Sequence, residues 1–500
     1  MQSKSIWSQT AKAEKRPRLE EDITCTACVI GGGMAGVLSA YFLTEQGVDT
    51  VLLEASSIGS GQTKNTTAKI TSQHGLKYAH LEHEYSVGAA RQYAALNQEA
   101  IEQYEKLIEK HHIDCDFERL PSYLYALQET QRVQDEFEAA KGAGIPCYMT
   151  DDTPLPLPVR SALVFPDQAQ FHPLKFLFAL SGQIKAYENT RVLTVDDTSA
   201  GPEGGKRGAR GERYRVKTPL GSVYAQHIVF ATHYPFVNMP GFFFTKQHQA
   251  RSYVVALQGA QNLGGLFFSA DKNGLSFRNA GDALLVGGSG HRTGENPQGG
   301  RYETLSAQAA ALFPKGQITA RWSAQDCMPV GALPFIGRYS KAKPHWYVAT
   351  GFGKWGMTSS MVAARTITGM ITGKEDPRSE VFTENRMKIA FADDYAAEGA
   401  KAVKSYLREI FNIPDIYTAD LKRGQGGVFI YDGVKAGVYK DEEGVLYAID
   451  TKCPHMGCQL EWNADEKSWD CPCHGSRFTY RGELIDGPAQ QSVPYKRDEQ

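Results

Sequence analysis

The chain lacks any apolar run approaching the roughly 18 residues that a membrane span needs. Its start, MQSKSIWSQTAKAEKRPRLEEDI, lacks the apolar middle of a secretory signal. It lacks charge of one sign: 54 Lys plus Arg stand against 56 Asp plus Glu, a net charge of −2. With no basic excess to hold phosphate backbones, nucleic acid is not an expected partner. Cysteine is scarce, nine in 500 residues, too few for a disulfide scaffold. The expectation is a cytoplasmic globular chain with no membrane span, of about three structural units at roughly 150 residues each.

What is present is unevenly placed. Residues 1–20 are polar and expected at the surface, with Trp7 able to pin them. Residues 23–30 (ITCTACVI) read as a buried strand, then come a glycine run, an apolar helix and a second strand, VDTVLLEA: a β-α-β unit. A helix is expected over 85–112, a strand over 121–127, irregular chain over 154–166, and a flexible hairpin loop over 199–212 between RVLTV and YRVKT. Strands follow at 226–232 and 346–350, with an antiparallel pattern over 250–290 between them. A polar helix is expected over 391–411, and short strands with tight turns from about 418 onward.

Gly31, Gly33 and Gly36 form G-x-G-x-x-G between the first strand and its helix. The first glycine permits the tight turn, the second lets backbone approach a pyrophosphate, and the third lets helix pack on strand. Glu54 ends the second strand, where a carboxylate accepts from ribose hydroxyls. The loop that follows offers Gly59, Gly61, Thr63, Asn65 and Thr66, small donors suited to a pyrophosphate and a flavin ring. A second G-x-G-x-x-G occurs at Gly351, Gly353 and Gly356, in GFGKWGMT. No strand with an acidic end follows it, so it reads as a helix N-terminus meeting the flavin pyrimidine edge, with Lys354 adding positive charge.

These segments (VIGGGMAGVLSAYFL, VLLEA, GSGQTKNTTA, RVLTV, QHIVFATHYP, PFIG and VATGFGKWGMT) resemble the D-amino-acid-oxidase, glycine-oxidase and sarcosine-oxidase superfamily over about residues 21–375. The resemblance implies an α/β FAD-binding domain, Rossmann-like and of the glutathione-reductase type, with an inserted antiparallel α+β substrate domain. The FAD-binding parts would be about 21–80, 150–245 and 325–375, and the substrate-domain parts about 81–150 and 246–324. It also implies Val192 near the adenine, Thr232 near the FAD core, and Met357 and Thr358 at the flavin. The implied reaction is oxidation of an amine or amino acid by hydride transfer to the flavin. His74, Arg292 and Lys354 are candidates for the catalytic cavity, as are Arg251, Arg278 and His291, an arginine being suited to clamp a substrate carboxylate.

The second cluster of chemistry is CPHMGC (453–458) with CPCHGS (471–476). The pattern C-x-H, then C-x-x-H, suits a Cys₂His₂ zinc site or a Rieske [2Fe–2S] centre. Each loop supplies one cysteine and one histidine, so both must converge. With Gly457, Pro472 and Gly475 shaping the loops, residues 418–500 resemble a small all-β Rieske domain, joined by a helical connector over 376–417. The resemblance implies Cys453 and Cys471 on the inner iron, and His455 and His474 on an outer, exposed iron. It also implies a Cys458–Cys473 disulfide, and Ser476 as a hydroxyl donor to a bridging sulfide. Phe478 replaces a second donor, a tyrosine, in high-potential members, which lowers the expected potential.

Cys25 and Cys28 form C-x-x-C on the first strand, where they are expected to point to opposite faces as core residues. Cys327, in QDCMPVG, is a candidate covalent flavin attachment, which some sarcosine oxidases make nearby. A flavin accepts two electrons and a Rieske cluster carries one. The combination therefore points to an FAD-dependent dehydrogenase or oxidase with the cluster relaying electrons to a soluble one-electron acceptor. An NAD(P)H-linked reductase and a cluster-bearing redox sensor are the alternatives.

Overall fold

The computed structural model of the chain describes residues 4–198, 213–382, 396, 399–401, 404–405, 409 and 421–495. The hairpin loop expected over 199–212 lies outside them, as does most of the connector and of the helix expected over 391–411.

The first sheet gathers strands that are distant in sequence. Ile23–Ile30 leads into the helix Met34–Glu45 and the strand Thr50–Leu53, as the glycine run predicts. Ile23–Ile30 pairs in parallel with Thr50–Leu53 on one side and Ser222–Phe230 on the other, and Lys343–Thr350 adds beside Ser222–Phe230. Thr50–Leu53 is buried at every position, as a parallel sheet covered on both faces requires. The carboxyl ends of these four strands bring Gly31, Glu54, Thr232 and Gly351 to one edge. That edge is where open α/β sheets bind ligands.

The second sheet is mostly antiparallel, nine-stranded among the described residues, and runs from Gln317–Pro329 through Gln247–Gln258 and Ala283–Arg292 to Glu118–Ala126 and Ser161–Gln170. The helix Val87–His111 packs its apolar stripe onto the core. The C-terminal part folds into two small antiparallel sheets, one from Gly426–Tyr431 to Leu446–Ile449 and one from Glu461–Asn463 to Leu484–Asp486.

Local expectations changed in three places, and a fourth was met. Ser161–Gln170 is a strand that takes in residues 161–166 of the stretch expected to be irregular. Its Pro166 falls at the register shift that also holds Pro121, where no N–H is needed for the ladder. In RVLTV the strand begins only at Thr194, although Val192 is buried. Cys25 and Cys28 sit in one apolar cluster rather than on opposite faces. The N–H groups of Thr26 and Ala27 both bond Asp49 O, and this bulge slips the alternation by one. The N-terminal stretch is pinned: Trp7 is 3% exposed and its Nε1 donates to Thr66 O at 2.7 Å.

Candidate active site and iron-sulfur centre

At the FAD end, Gly31 has φ +109°, and a Cβ there would stand 2.4 Å from Ala231 O; one at Gly36 would stand 1.8 Å from Gly31 O. Only glycine fits either position. The Met34–Glu45 helix begins at Gly33, which has no side-chain acceptor; Thr63 Oγ1 takes the Met34 N–H at 3.1 Å. The remaining first-turn N–H groups form an anion site. Glu54 accepts from the N–H groups of Gly32 (2.7 Å) and Ser56 (2.8 Å), while burial pushes its carboxyl upward. Gly61 faces open space. Asn65 and Thr66 are tied by their carbonyls, to the indoles of Trp322 and Trp7.

The Gly356–Thr372 helix also starts without a side-chain cap, after a left-handed run at Gly353 and Lys354 (φ +55° and +76°). A lysine in that conformation is strained. Met357 and Thr358 are buried: Met357 O accepts from Tyr104, and Thr358 donates to Thr71 O. Thr232 donates to Tyr234 O at 3.0 Å. Two uncapped helix starts, a glycine turn and a strand-end carboxylate fit a dinucleotide with a flavin.

The other cavity candidates are largely committed elsewhere. His74 bonds Tyr93 through Nδ1 (2.6 Å) and Thr71 O through Nε2 (2.7 Å), and stacks on Trp355; burial holds it far below the usual histidine range, so it stays neutral. Arg278 donates to the carbonyls of Thr67, Ala68, Phe171 and Asn279. His291 bonds Tyr253, and Arg292 donates to Pro472 O. The Cys327 thiol donates to His233 O and is pushed up by burial.

The cluster loops mirror each other. Gly457 N–H bonds Cys453 O and Gly475 N–H bonds Cys471 O, both at 2.9 Å, with both glycines left-handed. Cys458 and Cys473 form a disulfide joining the loops. The Nδ1 atoms of His455 and His474 face each other at 3.2 Å. Two nitrogens, each about 2.1 Å from one metal, stand that far apart at an angle of roughly 100°. His455 Nε2 donates to Asn238 Oδ1 at 2.7 Å, which leaves Nδ1 unprotonated, and burial pushes the imidazole down to about 4, into the neutral, metal-binding form. The Cys471 thiol hydrogen-bonds Cys453 and lowers it, against the effect of burial, with a smaller contribution from Ser476 beside it. Two thiols and two converging imidazoles fit a 2Fe–2S cluster.

Of the two histidines, both expected to be exposed, His474 is buried and His455 half-buried. His474 is 3% exposed, with its ring near Tyr234 and Phe244. The cover is the oxidoreductase part of the chain, and no sequence feature marks this junction. Gln249 donates to His474 O (2.7 Å) and Gln325 to Gly475 O (2.9 Å). Glu466 receives Tyr302 (2.7 Å), Ser323 (2.8 Å), Arg251 (3.0 Å) and Arg477 (3.4 Å). Burial works against this carboxylate, but the two arginines and two hydroxyls hold it below its ordinary range. Asp465 accepts from Asn296, Gly300 and Arg301. No residue type or spacing marks these partners in advance.

This fold and these sites define a two-cofactor flavoprotein, and comparison with known proteins agrees. Residues 26–370 match the FAD dependent oxidoreductase family and residues 412–496 the Rieske [2Fe-2S] domain. The chain belongs to the FAD dependent oxidoreductase family, carries a C-terminal Rieske domain, and uses FAD and a 2Fe–2S cluster. It is 35% identical over 500 residues to the Rieske 2Fe-2S iron-sulfur protein YhfW of Bacillus subtilis (strain 168), covering 97% of this chain and 96% of that protein. A 99-residue stretch is 36% identical to gamma-glutamylputrescine oxidoreductase of Escherichia coli (strain K12), covering 20% of this chain and 23% of that protein. In fold it is similar to L-proline dehydrogenase from P. horikoshii (TM-score 0.60, 20% identity, 74% of this chain and 99% of that one). Glycine oxidase from Geobacillus kaustophilus is similar too (TM-score 0.58, 19% identity, 71% and 96%). It is thus an FAD dependent oxidoreductase by family, with the fold of these two enzymes. Among the described residues, no helix is long and apolar enough to cross a membrane.

Proposed function

We propose that the chain oxidises an amine or amino-acid-like substrate and passes the electrons, one at a time, through its Rieske module to a one-electron acceptor. When bound, FAD takes two electrons as a hydride and the cluster carries one. The observation that carries this reading is the docking of the cluster loops: His455 bonds Asn238, and His474 lies near Tyr234 and Phe244. Those residues belong to the segment leaving the Ser222–Phe230 strand, the strand that ends beside Thr232 at the FAD edge.

In this reading residues 1–375 form the oxidoreductase and 418–500 the relay. Gly31, Gly33, Gly36, Glu54 and the 59–66 loop hold FAD, with Lys354 at the pyrimidine edge. Cys453 and Cys471 hold the inner iron, and His455 and His474 the outer one.

Anaerobic mixing tests it. Flavin colour is expected to bleach with members of an amine and amino-acid panel, and to persist with NADPH. A cluster-free His455→Ala protein is expected to bleach with the same substrate, yet to lose turnover with a one-electron acceptor protein. Bleaching by NADPH alone overturns the substrate reading, and full turnover of cluster-free protein with protein acceptors overturns the relay.

A further inference from the structure

The strands Gln247–Gln258 and Gln317–Pro329 pair antiparallel, so directly opposed residues share a face. One face carries Gln249 opposite Cys327, Arg251 opposite Gln325 and Tyr253 opposite Ser323, and all six are buried, next to or beneath the Rieske domain. The other face carries His248 opposite Met328, Ala250 opposite Asp326 and Ser252 opposite Ala324, and all six retain accessible surface. Asp326 keeps accessible surface, so open space lies in front of this face.

The walls of that space are identifiable. The carbonyl of Cys327, next to Asp326, accepts from Gly353 N–H at 2.9 Å, which ties the strand to the glycine loop of the candidate flavin edge. Lys354, on that loop, has its Nζ 3.9 Å from where a Cβ on Gly290 would stand, and Ser252 Oγ is equally close to that point. Ser252 Oγ is buried with no hydrogen-bond partner among the described residues. Asp326 has no hydrogen bond or ion pair with a described residue. Burial raises its carboxyl, and the charges of Lys354, His233 and Arg251 act against that rise. A buried carboxylate without partners is expensive unless a ligand completes it.

The arginines suited to clamp a substrate carboxylate are spent elsewhere. Arg251 serves Ser323, Gln325 and Glu466 on the opposite face, Arg278 serves four carbonyls, and Arg292 serves Pro472 O. Lys354 is the cation assigned to the flavin edge.

We infer that Asp326, with Ser252 on the same face, binds the cationic nitrogen of the substrate; a carboxylate on that substrate would meet the Lys354 ammonium rather than an arginine. This rests on the proposed amine or amino-acid oxidase reading and names a residue of its site.

The test is a titration of the oxidised holoprotein, without turnover, read as a flavin difference spectrum, with n-butylammonium and butyrate as probes. Butylammonium is expected to bind at least fivefold tighter than butyrate. Asp326→Asn is expected to weaken butylammonium at least fivefold, with Asp326→Glu restoring part of it, while FAD content and the Rieske absorption stay at wild-type levels. Preference for butyrate, no preference, or a smaller loss in Asp326→Asn overturns the inference. If Asp326→Asn loses FAD, the wild-type preference and the Asp326→Glu protein decide. The broader reading fails separately, through bleaching by NADPH and by no amine or amino acid.

Discussion

The two cofactor sites are built in opposite ways. The residues proposed to hold the cluster come from one stretch, 453–476, whose loops close on themselves through Gly457, Gly475 and the Cys458–Cys473 disulfide. The FAD edge is assembled from strand ends more than 300 positions apart, Gly31 at one extreme and Gly351 at the other. A local site depends on its own loops, whereas an assembled site depends on the whole sheet. The teaching lies where they meet: Gln249, Arg251, Ser323 and Gln325 are residues of the oxidoreductase sheet that hold the Rieske module, so the local site is held in place by the assembled one.

The largest effect expected on this contrast comes from His474→Ala. Iron and acid-labile sulfide should fall from about two each per chain to none, while FAD stays bound. Metal and flavin analysis of the purified protein checks it, and loss of both cofactors together would mean that the sites are not separable.

Next is the junction. Glu466→Gln leaves Arg251 buried beside a neutral group, a change of about 3–5 kcal/mol for a broken buried pair. Hydrogen exchange should rise at 471–476 with the cluster retained. The same carboxylate sets a pH dependence. Its folded pKa is depressed, so its contribution is complete above about 4.3, the unfolded value. It is lost as pH falls through the lower folded value. Acid below about pH 4 should therefore loosen the junction, and going from pH 7 to 9 should not; exchange at 471–476 measured across pH decides this.

Glu54→Ala should weaken FAD binding by about 1.5–3 kcal/mol, the worth of hydrogen bonds to a charged acceptor, with the Rieske spectrum unchanged. Equilibrium dialysis against FAD measures it. The smallest effect is expected at Gly475→Ala. The left-handed backbone (φ +79°) costs about 1–2 kcal/mol for a residue with a Cβ. That Cβ would also stand 2.6 Å from Gln249 Cβ. The cost should appear as looser docking, seen by limited proteolysis, rather than as lost iron.

The glycine turn at 31–36, the acidic strand end at Glu54 and the cysteine-histidine loops were legible because each is a short-range pattern with a fixed chemical purpose. Their spacing is constrained by the ligand itself, whatever the rest of the chain does. The strand at 161–170 was missed because its proline occupies a register shift, which only the partner strand reveals. The bulge that puts Cys25 beside Cys28 was missed because it is made by Asp49 O, from a different segment.

By itself the sequence determined the two cofactors, the residue types that meet them and the order of the modules. Only the tertiary structure decided that Asn238 would bond His455, that Glu466 would gather Arg251 and Arg477, and that Asp326 would keep accessible surface while Gln325 beside it is sealed under the Rieske domain. The physical reason is the two-residue period of a strand. Adjacent residues take opposite faces, and which face is covered depends on a cluster loop 150 positions further along the chain.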